Sequence, residues 1–264
     1  MRLIFFFLSF ALGADEYVRY RIQNDISYID AKSKEESYAK ERCVLDLYYP
    51  EGQKDFKTIV WFHGGGLKAG KKEIPLKLKY KGFAVAGINY RLHPKVKSPK
   101  YVEDAAAAVA WVIKNIDKFG GDPSKVYVSG HSAGGYLSCM LAMDKKYLNK
   151  HGLKPDSVAA YAPLSGHTIT HFTVRKEMGL SKLDIHIGEM APIYHVRKET
   201  PKILLITGDR EKEMLGRYEE NAYFWRMMKV AGNKNINLIE IKGTDHGTMV
   251  KPALDRVIDF INEN

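Results

Sequence analysis

Short runs of β-branched, leucine and aromatic residues alternate along this chain with longer stretches whose apolar positions recur at helical spacing. Residues 43–50 (Cys-Val-Leu-Asp-Leu-Tyr-Tyr-Pro), 58–66, 82–91, 125–131, 156–164, 202–211 and 237–246 each contain a strand-like apolar run, and 18–30 alternates loosely as a first strand. Most of these runs are apolar on successive positions, the mark of strands covered on both faces. Between them, residues 102–119 place Val102, Ala106, Val109, Val112, Ile113 and Ile116 on one helical face and stop at Gly120-Gly121. Residues 216–231 form a second helix, ended by Gly232, and 251–262 a third with Leu254, Val257, Ile258 and Ile261 facing inward. The basic stretch 67–80 predicts a short helix, and the charged stretch 31–42 an exposed loop or short helix. Strand-helix alternation without repeat or low-complexity linker predicts an α/β protein: one domain over 14–264, with a mostly parallel sheet, helices on both faces and no large cap domain.

The chemistry gathers at the ends of the strands. Residues 125–139 read as strand, sharp turn and helix, with Ser132 at the turn inside Gly130-His131-Ser132-Ala133-Gly134. Such a turn strains the backbone, lifts the hydroxyl above the sheet, and aims the first amides of the following helix at an oxyanion formed there. Residues 58–66 end in His63-Gly64-Gly65-Gly66, 202–211 in the acids Asp209 and Glu211, and 237–246 in Asp245-His246. Glycine loop, serine, acid and histidine thus follow one another in the chain order of a hydrolytic triad, each after its own strand. Residues 165–201 break the pattern and are too short for a domain, so they are expected to roof an open pocket above the strand ends. His131, His167 and Phe172 are the candidate substrate-contacting residues, although a histidine in such a stretch more often packs.

Composition narrows the partners. The chain has 264 residues and a formal charge of +10, but its lysines are scattered without aromatic interleaving, so no nucleic-acid partner is indicated; anionic substrates or surfaces remain compatible. Residues 1–13 carry Arg2, an apolar run and small residues before Ala14, which reads as a cleaved signal peptide and a secreted or periplasmic protein. The competing reading is a buried N-terminal strand. The run is too short to span a bilayer, so no stable membrane insertion is expected. Cys43 and Cys139 lie on distant elements and read as small buried residues, and no Cys or His grouping has metal-ligand spacing. Oligomeric state leaves no mark in the sequence.

The motifs His63-Gly64-Gly65-Gly66, Asn89-Tyr90-Arg91, Asp104, Gly130 to Gly134 and Asp245-His246-Gly247 resemble those of α/β-hydrolase carboxylesterases with a His-Gly-Gly-Gly oxyanion motif. Leu45-Asp46-Leu47-Tyr48-Tyr49-Pro50 resembles more narrowly small secreted esterases that remove feruloyl or acetyl groups from plant polysaccharide, and the related arylformamidases. The resemblance implies hydrolysis of carboxylic esters, free or on carbohydrate, without a cofactor. It also implies Ser132 as nucleophile, His246 as base, and the amides of Gly65, Gly66 and Ala133 as the oxyanion hole. His63 then shapes the loop. In hydrolases of this kind the acid commonly stands three residues after the strand-ending glycine, which from Gly208 gives Glu211; Asp209 is the more usual residue type. Arg91 and Asp104 read as a structural pair. An arylformamidase uses the same machinery, while a silent binding protein would be expected to lose the serine, histidine or glycines, and none is lost.

Overall fold

The computed structural model describes residues 18–29 and 37–264. The signal-peptide reading of residues 1–13 lies outside the described residues, as do residues 31–36 of the stretch expected as an exposed loop or short helix; its second half, Ser37–Arg42, is a short helix. Among the described residues, eight strands form one sheet: β1 (Tyr20–Ser27), β2 (Val44–Pro50), β3 (Phe56–Phe62), β4 (Ala84–Ile88), β5 (Gly121–His131), β6 (Ala160–Leu164), β7 (Lys202–Gly208) and β8 (Ile236–Ile241). The α-helices among the described residues are α1 (Ser37–Arg42), α2 (Lys100–Asn115), α3 (Ala133–Met143), α4 (Lys145–Asn149), α5 (Phe172–Glu177), α6 (Arg217–Val230) and α7 (Val250–Asn262). The spatial order is β1-β2-β4-β3-β5-β6-β7-β8, with β1 and β2 antiparallel to their neighbours and the rest parallel.

Period-two alternation divides each central strand between two cores. On β3, Val60 and Phe62 face the layer that includes Val109 of α2, Leu137 of α3 and Phe224 of α6, whereas Ile59 and Trp61 face Leu254, Val257 and Ile261 of α7. Covering both faces explains why β4 and β6 are buried at every position. The edge strand β1 is mostly exposed. Helix α2 continues as a 3-10 turn through Phe119, and Gly120 ends it with a left-handed φ of 97°. Arg91 grips Asp104 through two side-chain bonds of 2.6 and 2.9 Å, holding α2 to the segment after β4. Cys43 and Cys139 are free and buried.

One expected element is absent. Residues 67–80 form bends with only a 3-10 turn at Leu76–Leu78. Side chains of other elements hold this stretch instead: the Lys72 amide donates to Asn89 Oδ1 (2.6 Å), and Trp61 Nε1 donates to Glu73 Oε1 (3.2 Å). These long-range anchors override the local helical tendency.

Strand order changes direction between β3 and β5, where β4 lies to one side and β6 to the other. A crevice opens above the strand C-termini at such a point. Parallel register then sets the loops: Phe62 pairs with Gly130, so Gly64 and Ser132 stand level, two residues beyond the pair.

Candidate active site

Ser132 joins β5 to α3 at φ 58° and ψ −111°, outside the comfortable range for a residue with a Cβ. Neighbouring backbone enforces the turn. The Ser132 amide donates to Leu164 O (2.8 Å), and its carbonyl accepts from Tyr136 (2.9 Å). Gly134 lies so close to β3 that a Cβ there would stand 2.6 Å from the Phe62 carbonyl carbon and nearer still to its oxygen. That contact holds the start of α3 against the sheet and leaves the hydroxyl no direction but upward.

His246 follows β8, and its Nε2 lies 2.9 Å from Ser132 Oγ. Its Nδ1 faces a carboxylate at 2.6 Å, which requires the proton on Nδ1 and leaves the Nε2 lone pair to accept the serine hydroxyl. That carboxylate is Glu213. Neither Glu211 nor Asp209 reaches the histidine. After β7 the chain coils once, with the Lys212 and Glu213 amides both donating to Asp209 O (2.9 and 2.7 Å), which swings Glu213 back over the strand end. Asp209 is used by the turn itself: its Oδ1 accepts the Glu211 amide (3.0 Å) and its Oδ2 the Gly243 amide (2.7 Å). Glu211 points into solvent. Aspartate bonding the backbone two residues on is a familiar turn device, and it was the signal available in the sequence for placing the acid further along. Asp245 likewise caps its own turn, accepting from Gly247 and Thr248.

Glu213 is held on both oxygens. Oε1 also accepts the Met214 amide (3.0 Å), and Oε2 accepts the Gly208 amide (3.0 Å) and the Ser165 hydroxyl (2.8 Å). Burial pushes this carboxyl up, but the hydrogen bond and charge of His246, with the Met214 and Ser165 donors, outweigh it and bring it down to about 2.

Beside Ser132 the glycine loop runs with φ 104° at Gly65 and 62° at Gly66. Among the described residues the amides of Gly65, Gly66 and Ala133 have no partner, which leaves three donors free on the glycine loop and at the start of α3. His63 supports this loop. Its Nδ1–H donates to Gly64 O (2.6 Å), its ring stacks on Tyr90 at 4.4 Å, and Tyr90 OH donates to His63 O (2.9 Å). Burial, with help from the Arg42 charge and against the Gly64 bond, brings His63 down to about 4, so it stays neutral.

Helix α5 of the roof locks onto the same loop. Thr173 Oγ1 donates to Gly66 O (2.5 Å), and the Phe172 ring lies against Gly66, with Lys68 Nζ 5.8 Å from the ring centre. At its other end Glu177 is bonded by Tyr101 OH, by the Ser98 amide (2.9 Å) and by His93 Nδ1 (3.1 Å).

Of the three residues expected to touch substrate, Phe172 is half-buried and lies against Gly66 of the glycine loop. His131 donates its Nε2–H to His246 O (2.8 Å), its ring 4.6 Å from the His246 ring, so it braces the histidine loop. Burial first, then the nearby His246 charge, bring His131 down to about 4. His167 is fully buried, its Nδ1 2.7 Å from Glu220 Oε1 and its Nε2 accepting from Arg217 (2.9 Å), and it cannot contact substrate. No cluster of three or more His, Cys, Asp or Glu among the described residues is placed to hold a metal ion.

Residues 45–215 match the BD-FAE family. The chain belongs to that family. Among curated relatives, it is 27% identical to Esterase LipC of Mycobacterium tuberculosis over 71% of this chain and 50% of that protein. It is 35% identical to Carboxylesterase NlhH of the same species over 36% of this chain and 32% of that protein. This BD-FAE chain therefore spans about half or less of the length of these relatives. A solved structure described as a truncated form of carbohydrate esterase from gut microbiota superposes with a TM-score of 0.72 at 22% identity, covering 95% of this chain and 98% of that one. That likeness establishes the α/β-hydrolase fold.

Proposed function

We propose that this BD-FAE chain is a serine carboxylic-ester hydrolase whose natural substrates are acylated carbohydrates, such as feruloyl or acetyl esters. The observation that carries the reading is the continuous relay from Ser132 Oγ to His246 Nε2 at 2.9 Å and from His246 Nδ1 to Glu213 at 2.6 Å. Ser132 attacks the ester carbonyl while His246 takes its proton. The new oxyanion faces the Gly65, Gly66 and Ala133 amides, each such donor being worth roughly 3 kcal/mol in related chemistry. His246 returns the proton to the departing alcohol oxygen, and water, deprotonated by the same imidazole, cleaves the acyl-enzyme. Glu213 stabilises the imidazolium in both halves.

Esterase relatives support the ester-bond reading, and the carbohydrate esterase among the structural neighbours supports the substrate class. The apolar, small-residue pattern of residues 1–13 supports a secreted or periplasmic site of action. The test is a panel of nitrophenyl acetate through decanoate, methyl ferulate and acetylated xylan, assayed on wild type and Ser132→Ala. Hydrolysis lost in the variant, with ferulate or xylan preferred, fits the proposal; N-formylkynurenine as the best substrate would overturn it in favour of an arylformamidase.

A further inference from the structure

Ser165, the residue immediately after β6, belongs to no motif of the sequence, yet it is fully buried at the centre of the site. Its backbone is left-handed at φ 45°, a conformation that costs a residue with a Cβ about 1–2 kcal/mol and persists only where its surroundings dictate it. Those surroundings are visible on both sides. The Ser165 amide donates to Ile206 O of β7 (2.7 Å), and its carbonyl accepts from the fully buried Arg217. Arg217 is fixed in turn by Glu220 (2.9 Å) and His167 (2.9 Å), while Glu220 accepts the Thr168 and Ile169 amides (3.0 and 3.1 Å). With its backbone clamped at both ends, the side chain has one place to go. Ser165 Oγ donates to Glu213 Oε2 at 2.8 Å and lies 3.0 Å from His246 Nδ1.

We infer that Ser165 is a positioning residue of the relay: its hydroxyl fixes the plane of the Glu213 carboxylate, and its lone pair offers the His246 Nδ1–H a second acceptor. The need arises from the acid's location. Glu213 comes from a turn five residues beyond Gly208 on a side chain longer than aspartate, so it has more rotamers to lose than an acid set directly on the strand. The hydroxyl removes that freedom, and the imidazole is held in the tautomer that leaves Nε2 free for Ser132. The buried Arg217–Glu220–His167 group thereby acquires a purpose, since it holds the Ser165 backbone in the strained turn.

The inference rests on the esterase reading, and two hydroxyl-free variants separate it from a merely structural role. Ser165→Gly relieves the left-handed strain and Ser165→Ala keeps it. Loss of a hydrogen bond to a charged group corresponds to roughly a 10- to 100-fold fall in kcat. Both variants are expected to show it, with KM within about threefold of wild type, whichever melts higher. Ser165→Gly at wild-type kcat would overturn the inference, even were Ser165→Ala impaired, because strain alone would then be at issue. A second readout needs no turnover: the downfield proton resonance of His246 Nδ1–H, recorded in Ser132→Ala and in Ser132→Ala/Ser165→Gly. A sharp line in the first and a broadened or shifted line in the second is expected; identical lines would overturn the inference. An enzyme inert toward every ester and toward a fluorophosphonate would sink the esterase reading, leaving the resonance to decide the role of Ser165.

Discussion

Glu213→Gln removes one charge while keeping the side chain's shape, and its cost can be scaled from the site. The carboxyl is brought from an ordinary 4.5 to about 2, which at 1.36 kcal/mol per pKa unit corresponds to roughly 3 kcal/mol of preference for the charged form. Allowing for water at the mouth of the site leaves about 2–3 kcal/mol, or roughly 30- to 150-fold in rate. Geometry adds to this. Every partner of the Glu213 oxygens is a donor, namely His246 Nδ1–H, the Met214 and Gly208 amides and the Ser165 hydroxyl. An amide NH2 must therefore confront one of them or push His246 into the wrong tautomer. In trypsin the corresponding Asp-to-Asn change, which leaves geometry intact, costs about 10⁴ in kcat. Here kcat for nitrophenyl acetate should fall between about 10² and 10⁴, with KM changed less than about threefold. Initial rates at pH 8, corrected for folded fraction by thermal melting, measure it. Glu211→Gln, at a solvent-exposed side chain, serves as the control and should retain at least a third of wild-type kcat. Near-normal turnover by Glu213→Gln, with Asp209→Asn or Glu211→Gln crippled, would refute the assignment.

Three further outcomes follow from the same geometry. Thr173→Val keeps the shape of the side chain but strands the Gly66 carbonyl; kcat should fall about 3- to 10-fold at little change in KM, and an unchanged kcat would show that the glycine loop holds itself. Gly134→Ala drives a methyl into the Phe62 carbonyl and should cost at least about 3 kcal/mol, read as a melting temperature lower by several degrees or loss of soluble protein; a wild-type melt would contradict the packing. Stability should also drop as the solution is acidified. His63 and His131 stay neutral down to about 4, and burial holds His167 and His171 well below their ordinary value, whereas unfolded histidine takes up its proton near 6.5. The unfolded chain thus binds more protons in that window; the contribution of His63 and His131, full above pH 6.5, is lost as pH falls through about 4, and that of His167 and His171 falls in the same direction. Glu213 adds a loss from about 4.5 down to about 2. Melting temperatures flat from pH 6.5 to 4 would argue against it.

The readable parts of the site are those fixed by local constraint. Ser132 stands inside a turn that only its flanking glycines permit, and the glycine loop and His246 each end a strand recognisable from its apolar run. Their convergence then follows from parallel register, Phe62 beside Gly130. The acid was less legible because three acidic residues share the stretch from Asp209 to Glu213, and which one faces His246 depends on a turn built by the Asp209 side chain. The sequence offers His131 and His167 only as candidate substrate contacts for a similar reason: the partners they pack against, the His246 carbonyl and the Arg217–Glu220 pair, lie far along the chain. Residues 67–80 gave up their helix to anchors at Asn89 and Trp61, which no local pattern announces.

The attachment of α5 limits how this BD-FAE chain could be diversified. Excursions above a hydrolase sheet invite exchange between homologues as if they were detachable specificity cassettes. In this chain Phe172 and Thr173 bear on Gly66, and Glu177 is tethered to Ser98 and Tyr101. A graft of the whole excursion would carry away part of the support of the oxyanion loop together with the old selectivity. A chimera that keeps Phe172–Glu177 and replaces only the chain on either side leaves that support in place, so new recognition can be introduced without dismantling the chemistry beneath it.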